Sequence, residues 1–365
     1  MPLVAHSVEH ARRSSHVQRV FVSTDDREIA SIASSHGAEV IWRPAELATD
    51  SASSESALRH ALTHLEQGEG WNPDLVVFLQ CTSPIRRCGD VDRAIEKILR
   101  EGADSIFSGC RNDKFVWRKD KDGLQSVNYD YRARPREQDF PEEYRENGSI
   151  YVFKPWVLNT LNNRLGGTVT VYEMDYWSSF QVDSKEDLEL CEWILKRRKQ
   201  EEERESLPHP LELVVFDFDG VFTDNKVLVS EDGVESVWCD RSDSLGMNRL
   251  QQAGVPVLVI STERNVVVGA RCRKMGIECF QGVENKRLAL EHVLGQRGIH
   301  PANVVYVGND LNDLDCMRLV GCGIAVADAT PAVMHVARIV LKEKGGHGAV
   351  REVCDLIVHG LAARP

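Results

Sequence analysis

The run Phe216-Asp217-Phe218-Asp219-Gly220 sets two carboxylates two residues apart, where an apolar stretch from Leu213 to Phe216 meets a glycine. A strand alternates its faces, so Asp217 and Asp219 point the same way only where the strand ends, and there they can share one divalent cation. One carboxylate can then attack phosphorus while the other shuttles a proton. Alone, Asp-x-Asp-Gly is more often an acidic turn after a buried strand. Two further apolar runs change that balance: residues 255–260 end in Ser261-Thr262-Glu263, and residues 304–307 end in Gly308-Asn309-Asp310-Leu311-Asn312-Asp313. Ligands of open α/β sheets bind beyond the carboxyl ends of the strands, so these polar ends are expected to converge on one site. Between them lies Glu284-Asn285-Lys286, whose lysine can neutralise a phosphate.

On these residues the second half resembles the haloacid-dehalogenase phosphatases, in the small uncapped branch that acts on phosphorylated nine-carbon and eight-carbon keto-sugar acids. The match runs over about residues 212–358. The resemblance implies Asp217 as nucleophile, Asp219 as acid/base, Ser261 on the phosphate, and Lys286 beside it. It also implies Mg²⁺ held by Asp217, Asp219 and the residue of the fourth motif. That residue is Asn309, where the family commonly has Asp; an amide oxygen ligates Mg²⁺ without charge and binds it more weakly. Asp310 and Asp313 stand close enough to support the ligands. Glu263, Arg271 and Lys274 match positions that the branch dephosphorylating 9-phosphorylated sialic or deaminated sialic acids uses on substrate. The tail Lys344-Gly345-Gly346-His347-Gly348-Ala349-Val350-Arg351-Glu352 is similar to that branch's Gly-Gly-x-Gly-x-x-Arg-Glu segment. In those tetramers the segment reaches a neighbouring subunit's active site and substitutes for a cap, which implies Arg351 on substrate and a homotetramer. Glycines alone would only break a helix; the specific Arg-Glu pair favours the functional reading.

The 365 residues suffice for two cored domains, and 42% hydrophobic with 27% charged residues is ordinary for a globular protein. A net charge of -12 argues against a nucleic-acid backbone as partner but says little about small anions, whose sites are built locally. The ten cysteines show no C-x-x-C or Cys/His spacing, which implies buried apolar thiols in a reducing cytosol. No apolar run approaches the ~18 residues that span a bilayer, and the start lacks a signal-peptide pattern, so a cytoplasmic location is expected.

Residues 187–195 read as a helix that runs into the charged segment 196–205, followed by Pro208 and Pro210. The expected organisation is a first domain at 1–200, a charged and Pro-containing linker at 201–211, and a second domain at 212–365. In the first half, residues 20–22 and 75–79 are expected strands. Asp25 and Glu28 stand at capping-box spacing before a helix that ends near Gly37. The strand-end segment Gln80-Cys81-Thr82-Ser83-Pro84-Ile85-Arg86 carries donors and a base suited to an anion or nucleobase. Strands alternating with helices imply parallel sheets, so the fold class is α/β with two doubly wound, Rossmann-like domains.

Four strings carry a second resemblance: Val22-Ser23-Thr24-Asp25-Asp26; Arg43-Pro44-Ala45-Glu46-Leu47-Ala48-Thr49-Asp50; Gln80-x-Thr82-Ser83-Pro84-x-Arg86; and Arg134-Pro135-Arg136-Glu137-Gln138-Asp139 followed by Tyr144-Arg145-Glu146-Asn147-Gly148-Ser149-Ile150-Tyr151. Together they are similar to the N-acylneuraminate cytidylyltransferases, which make CMP-sialic acid from CTP and the free sugar with release of pyrophosphate. The resemblance covers about residues 1–200 and explains the fusion, since some members carry a phosphatase-like domain behind the transferase. It implies that Gln80, Thr82 and Ser83 lie near cytidine or sugar. Arg136, Gln138 and Asn147 would hold the sugar acid, Arg136 as a two-pronged carboxylate partner. Asp183 would be the metal ligand; Gln181 stands where a second acid often occurs, and Glu137 where many relatives have Arg.

Relatives begin with a strand and a basic, glycine-containing loop that cradles the CTP triphosphate. Here the match begins after that loop, and its strand would sit mid-sheet, so its neighbours are expected to lack a ladder partner. The near-complete remainder favours a start placed too late over a damaged transferase. The expected partners are CTP and sialic acid or its 9-phosphate; the alternative is a keto-sugar-acid phosphatase with a non-catalytic front module.

Overall fold

The computed structural model describes residues 1–121, 123–136, 139 and 142–362. They form two compact units, Met1–Lys196 and Arg197–Pro365.

The first unit runs α1 (Leu3–Arg12), β1 (Phe21–Thr24), α2 (Arg27–Ser35), β2 (Glu39–Trp42), α3 (Ser54–Glu69), β3 (Val76–Phe78), α4 (Asp90–Glu101), β4 (Ser105–Arg111), β5 (Trp117–Asp120), β6 (Gly123–Ser126), β7 (Tyr144–Phe153), α5 (Pro155–Leu161), β8 (Val169–Met174) and α6 (Lys185–Glu205). β1 and β2 form a parallel pair, while a second sheet has the order β3-β7-β4-β8. In that sheet β7 is antiparallel to both neighbours and β4 is parallel to β8, so the unit is α/β with a mixed sheet. Among the described residues β1 pairs with β2 alone and β3 with β7 alone. A cavity of about 740 Å³, lined among others by Phe21, Val22, Leu58, Leu62, Val76 and Phe78, borders both strands. On α4, Val91, Ile95 and Ile98 repeat at helical spacing and pack on Ile106, Ile150 and Val152 of the sheet.

Local chemistry shifts two of the expected boundaries. The α2 N-cap is Asp26 rather than Asp25, because the Asp26 carboxylate accepts from the N–H groups of Glu28 and Ile29. The charged residues expected to open a linker at 201 lie on α6, which runs unbroken to Glu205. Arg197 meets Glu201 at 2.9 Å and Lys199 meets Glu203 at 3.6 Å along its surface.

The second unit follows with β9 (Leu213–Phe216), β10 (Thr223–Val229), β11 (Glu235–Cys239), α7 (Ser242–Gln252), β12 (Val257–Ile260), α8 (Val266–Met275), β13 (Glu278–Phe280), α9 (Lys286–Arg297), β14 (Val304–Gly308), α10 (Leu314–Leu319), β15 (Cys322–Ala325), α11 (Pro331–Val336), β16 (Ile339–Val340) and α12 (Ala349–Ala362). Its six-stranded sheet has the order β13-β12-β9-β14-β15-β16, with every pairing parallel. Leu213, Val214, Val215 and Phe216 are fully buried, the continuous apolar signature of a strand covered on both faces. Phe216 opposes Val259 of β12 and Val307 of β14, so all three strands end at one level. Beyond that level Phe222 packs against Phe216 and Phe218, with ring centroids 5.6 and 5.5 Å apart. Each buried ring contributes about 1.5–3 kcal/mol and pins the turn that carries the two aspartates. β10 and β11 then leave the sheet as an antiparallel hairpin.

Candidate active sites

Asp217 is the first residue past the central strand, and its N–H still donates to the Val307 carbonyl at 2.9 Å, which continues the ladder by one residue. Its buried carboxylate accepts from the Lys286 ammonium at 2.7 Å and from the Phe218 N–H at 2.7 Å. Lys286 opens α9, whose N-terminus is capped by the Asn285 side chain on the Leu288 N–H. The ammonium also donates to Asp313 at 2.8 Å. Asp313 is fully buried and takes the Tyr306 hydroxyl at 2.8 Å, the Asn309 N–H at 2.9 Å and the Asp310 N–H at 3.3 Å. A chain of alternating charge, Asp217–Lys286–Asp313, therefore lies under the strand ends and fixes the backbone of the fourth motif.

Burial, then the Asp313 charge, pushes the Asp217 carboxyl upward against the pull of Lys286. Burial opposes charge on Lys286 as well, but the two carboxylates override it and the ammonium is held above its ordinary range. Half-buried Asp219 is raised by burial and then by the Glu263 charge. Ser261, buried at the end of β12, donates its N–H to the Phe280 carbonyl at 2.9 Å, and its hydroxyl accepts from the Glu263 N–H at 3.0 Å. Its hydroxyl proton remains available to a phosphate oxygen.

Three donors fit a hard divalent cation. The Asn309 amide oxygen is buried without a hydrogen-bond partner, a state that costs free energy unless something else fills it. Gly220, at φ +79°, lies so close that a Cβ there would meet the Asn309 amide nitrogen at 1.9 Å, so only glycine admits this approach. With Asp217 and Asp219 the set is all oxygen, suited to Mg²⁺. Among the described residues no group of three His, Cys, Asp or Glu side chains is placed to hold a metal.

Around this centre, the Glu263 carboxylate accepts from the N–H groups of Arg264 and Asn265 at 2.7 and 2.9 Å. Arg271 donates to the Asp240 carbonyl at 2.7 Å, and Lys274 is exposed further along α8. Arg351 donates to Asp355 at 2.6 Å within α12, and its N–H is taken by Asp243 at 3.1 Å. The structural weight of Asp313 exceeds what the sequence suggested, and the one signal for it was its spacing, one helical turn after Asn309.

In the first unit, the strand-end residues gather around Gly148. A Cβ on Gly148, at φ +66°, would meet the side chains of Gln80 at 2.3 Å, Ser83 at 2.9 Å and Gln181 at 3.2 Å. The Thr82 carbonyl accepts from the Val182 N–H at 2.7 Å, which brings exposed Asp183 to the same edge. Asn147 is fully buried; its oxygen accepts from Ser108 at 2.6 Å and its amide group donates to the Ser178 carbonyl at 2.9 Å. Exposed Arg136 grips Asp139 through two bonds, at 2.7 and 3.1 Å, and Gln138 lies outside the described residues. The sequence reading of Arg86 as a base for an anion is corrected. Arg86 is buried, donating to the carbonyls of Ser149 at 2.8 Å and Gln80 at 2.9 Å and to Ser7 at 3.1 Å. Burial pushes it down to about 10, and its donors are spent on the scaffold.

The cytidylyltransferase family matches residues 1–206, and the haloacid dehalogenase-like hydrolase family matches residues 273–353. An N-acylneuraminate cytidylyltransferase of Oncorhynchus mykiss is 30% identical over 369 aligned residues, covering 98% of this chain and 83% of its own. A 3-deoxy-D-manno-octulosonate 8-phosphate phosphatase of Escherichia coli is 37% identical over 149 residues, 40% of this chain and 79% of its own. Among solved structures, a HAD family hydrolase from Streptomyces avermitilis is 45% identical, covers 42% of this chain and 87% of its own, and superposes with a TM-score of 0.41. Buried carboxylates at the end of a parallel strand and a strand-end cluster around Gly148 thus accompany two family matches: the chain belongs to the cytidylyltransferase family and carries a haloacid dehalogenase-like hydrolase unit behind the transferase.

Proposed function

We propose that the chain activates a sialic acid in two steps: the second unit removes phosphate from the 9-phosphate of a nine-carbon keto-sugar acid, and the first transfers CMP from CTP to the freed sugar. The observation that carries the phosphatase is Asp217, buried at the end of the central strand and paired with Lys286 at 2.7 Å. Asp217 attacks phosphorus as the sugar alkoxide departs, and Asp219 gives that oxygen its proton. Water then attacks the aspartyl phosphate while Asp219 takes the water's proton, and phosphate leaves with Asp217 restored. Ser261 and Lys286 hold phosphate oxygens throughout. Asp217, Asp219 and Asn309 would hold Mg²⁺, which would supply positive charge for the phosphoryl transfer.

For the transferase, Gln80, Thr82 and Ser83 would bind cytidine or sugar, Arg136, Gln138 and Asn147 the sugar acid, and Asp183 a metal. The attack of the anomeric hydroxyl on the α-phosphate releases pyrophosphate, so alignment and charge are what the unit must provide. Glu263, Arg271, Lys274 and Arg351 would recognise the sugar acid in the phosphatase.

A homotetramer is supported by the hairpin of β10 and β11, which exposes Leu228 at 64%, Trp238 at 74% and Val234, in the turn between them, at 59%. A cytoplasmic location is supported by ten free thiols; among the described residues no helix is long and apolar enough to cross a membrane. The test is a paired assay with Mg²⁺: phosphate release from N-acetylneuraminate 9-phosphate, and CMP-sugar formation from CTP and N-acetylneuraminate. Asp217→Asn should abolish the first and spare the second. Unchanged phosphate release in that variant refutes the nucleophile.

A further inference from the structure

The glycine-rich tail between β16 and α12 makes its contacts inside its own unit, against the turn that carries Asp219. The Gly346 N–H donates to the Val221 carbonyl at 3.1 Å, and the Gly345 N–H to Asp328 at 3.0 Å. A Cβ on Gly345 would stand 2.0 Å from the carbonyl oxygen of Gly220 and 3.0 Å from that of Thr223. A Cβ on Gly346 would stand 2.4 Å from the Asp224 nitrogen. Gly220 in turn rests on Asn309 on its other side. The tail is therefore stacked backbone against backbone on the nucleophile turn, which in turn rests on the Asn309 side chain, and a methyl group at Gly345 or Gly346 would collide with the turn's backbone.

Helix-breaking does not explain this. Gly345 is absent from the left-handed backbone region that Gly346 and Gly348 occupy, so it has no conformational need to be glycine. What requires glycine there is the distance to Gly220, the residue after Asp219. The rest of the tail is tied down in the same unit: Glu352 accepts from the N–H groups of Lys342 and Glu343 at 3.1 and 2.9 Å, and Asp243 accepts from the Arg351 N–H at 3.1 Å.

We propose that Gly345 and Gly346 are positioning residues that brace the Asp219 turn of their own subunit, setting where Asp219 stands when it moves protons. The inference rests on the assignment of Asp217 as nucleophile and Asp219 as acid/base. A methyl at Gly345 forces the turn, the tail or both to give way by about 1 Å, a misplacement that costs on the order of 10²-fold in rate.

The experiment uses the full chain, p-nitrophenyl phosphate and rapid mixing. Nitrophenolate leaves without a proton, so formation of the aspartyl phosphate needs Asp217 alone, whereas its hydrolysis needs Asp219 as base. Gly345→Ala is expected to keep the nitrophenolate burst while steady-state turnover falls about 10²-fold. Gly348→Ala is the control. Unlike Gly345 it lies at positive φ, at +95°, and its Cβ meets nothing nearer than Ser242 at 3.8 Å, so backbone strain without collision should leave the ratio of burst to turnover as in the parent. Asp328→Ala, which removes the acceptor for the Gly345 N–H without adding bulk, should show the same signature more weakly and covers a failure of Gly345→Ala to fold. Parental turnover in both Gly345→Ala and Asp328→Ala, or burst and turnover lost together in both, overturns the proposal. A parent chain with neither burst nor phosphate release overturns the phosphatase assignment itself.

Discussion

Replacing Asp313 by Ala tests whether the buried charge chain holds the phosphatase site together. The substitution removes acceptors for the Lys286 ammonium at 2.8 Å, the Tyr306 hydroxyl at 2.8 Å and the Asn309 N–H at 2.9 Å, all in a place that water does not reach. Deleting one partner of a buried ion pair costs about 3–5 kcal/mol, because the remaining charge and donors stay desolvated. For a unit of this size each kcal/mol moves the melting midpoint by about 2–4 °C, so the transition of the second unit should fall by roughly 6–20 °C. Activity should fall further than stability accounts for. Among the described residues Lys286 is left with Asp217 as its ion-pair partner, which draws that carboxylate into a tighter pair, and Asn309 loses the bond that orients its backbone. Scanning calorimetry of the full chain, with phosphate release measured well below the midpoint, separates the two effects. A midpoint within about 2 °C of the parent and unchanged turnover would show that Asp313 neither stabilises the fold nor restrains the site.

Arg86→Ala should destabilise the first unit by about 3–5 kcal/mol, since it strips a buried cation from two carbonyls and a hydroxyl; a lowered first-unit melting transition with unchanged phosphate release checks it. Asn309→Asp should lower the Mg²⁺ needed for half-maximal phosphatase activity by roughly tenfold by adding charge to the ligand set, and metal titration reads this directly. Asp243, buried in the first turn of α7, is pushed up to about 7, chiefly by burial. Its folded value lies above its unfolded one, so the stability it contributes is full below about pH 4 and is lost as pH rises through 7. Asp243→Asn keeps an oxygen for the Arg351 N–H and cannot ionise. Urea unfolding should find it about 2–4 kcal/mol more stable than the parent at pH 8 and equal to it near pH 4.

The second unit was legible because its strands are buried on both faces. Uninterrupted apolar runs such as Leu213–Phe216 read as strands, and each delivers its polar end to one level, so Asp217, Ser261 and Asn309 were placed from sequence order alone. Lys286 was found by type and company, and lies at the start of α9. What sequence could not show is where a polar group spends its bonds. Arg86 and the polar donors before it look like a ligand site until the carbonyls of Ser149 and Gln80 claim its N–H groups. The mixed sheet of the first unit was hidden for a related reason: β7 is antiparallel to both neighbours, and strand direction leaves no mark on apolar alternation. Asp26 displaced Asp25 as cap because both satisfy the composition rule, and the backbone alone decides between them.

The asparagine in the fourth motif is best understood through charge. Asp217, Asp219 and Asp313 bring three negative charges to the strand ends, and Lys286 returns one positive charge through bonds to two of them. One divalent cation would offset the remaining two negative charges, and Glu263, whose charge raises Asp219, would leave the site slightly negative before the phosphate arrives. An aspartate at 309 would strengthen the cation's hold and leave a net negative charge facing a dianionic substrate, a repulsion that is poorly screened among buried groups. On the proposed function, the partnerless Asn309 oxygen, its side chain wedged against Gly220, would supply a ligand without adding charge against a phosphate. The Asn309→Asp variant should accordingly gain metal affinity and lose phosphate affinity together, and a variant that gained both would show that charge balance is not what selects the amide.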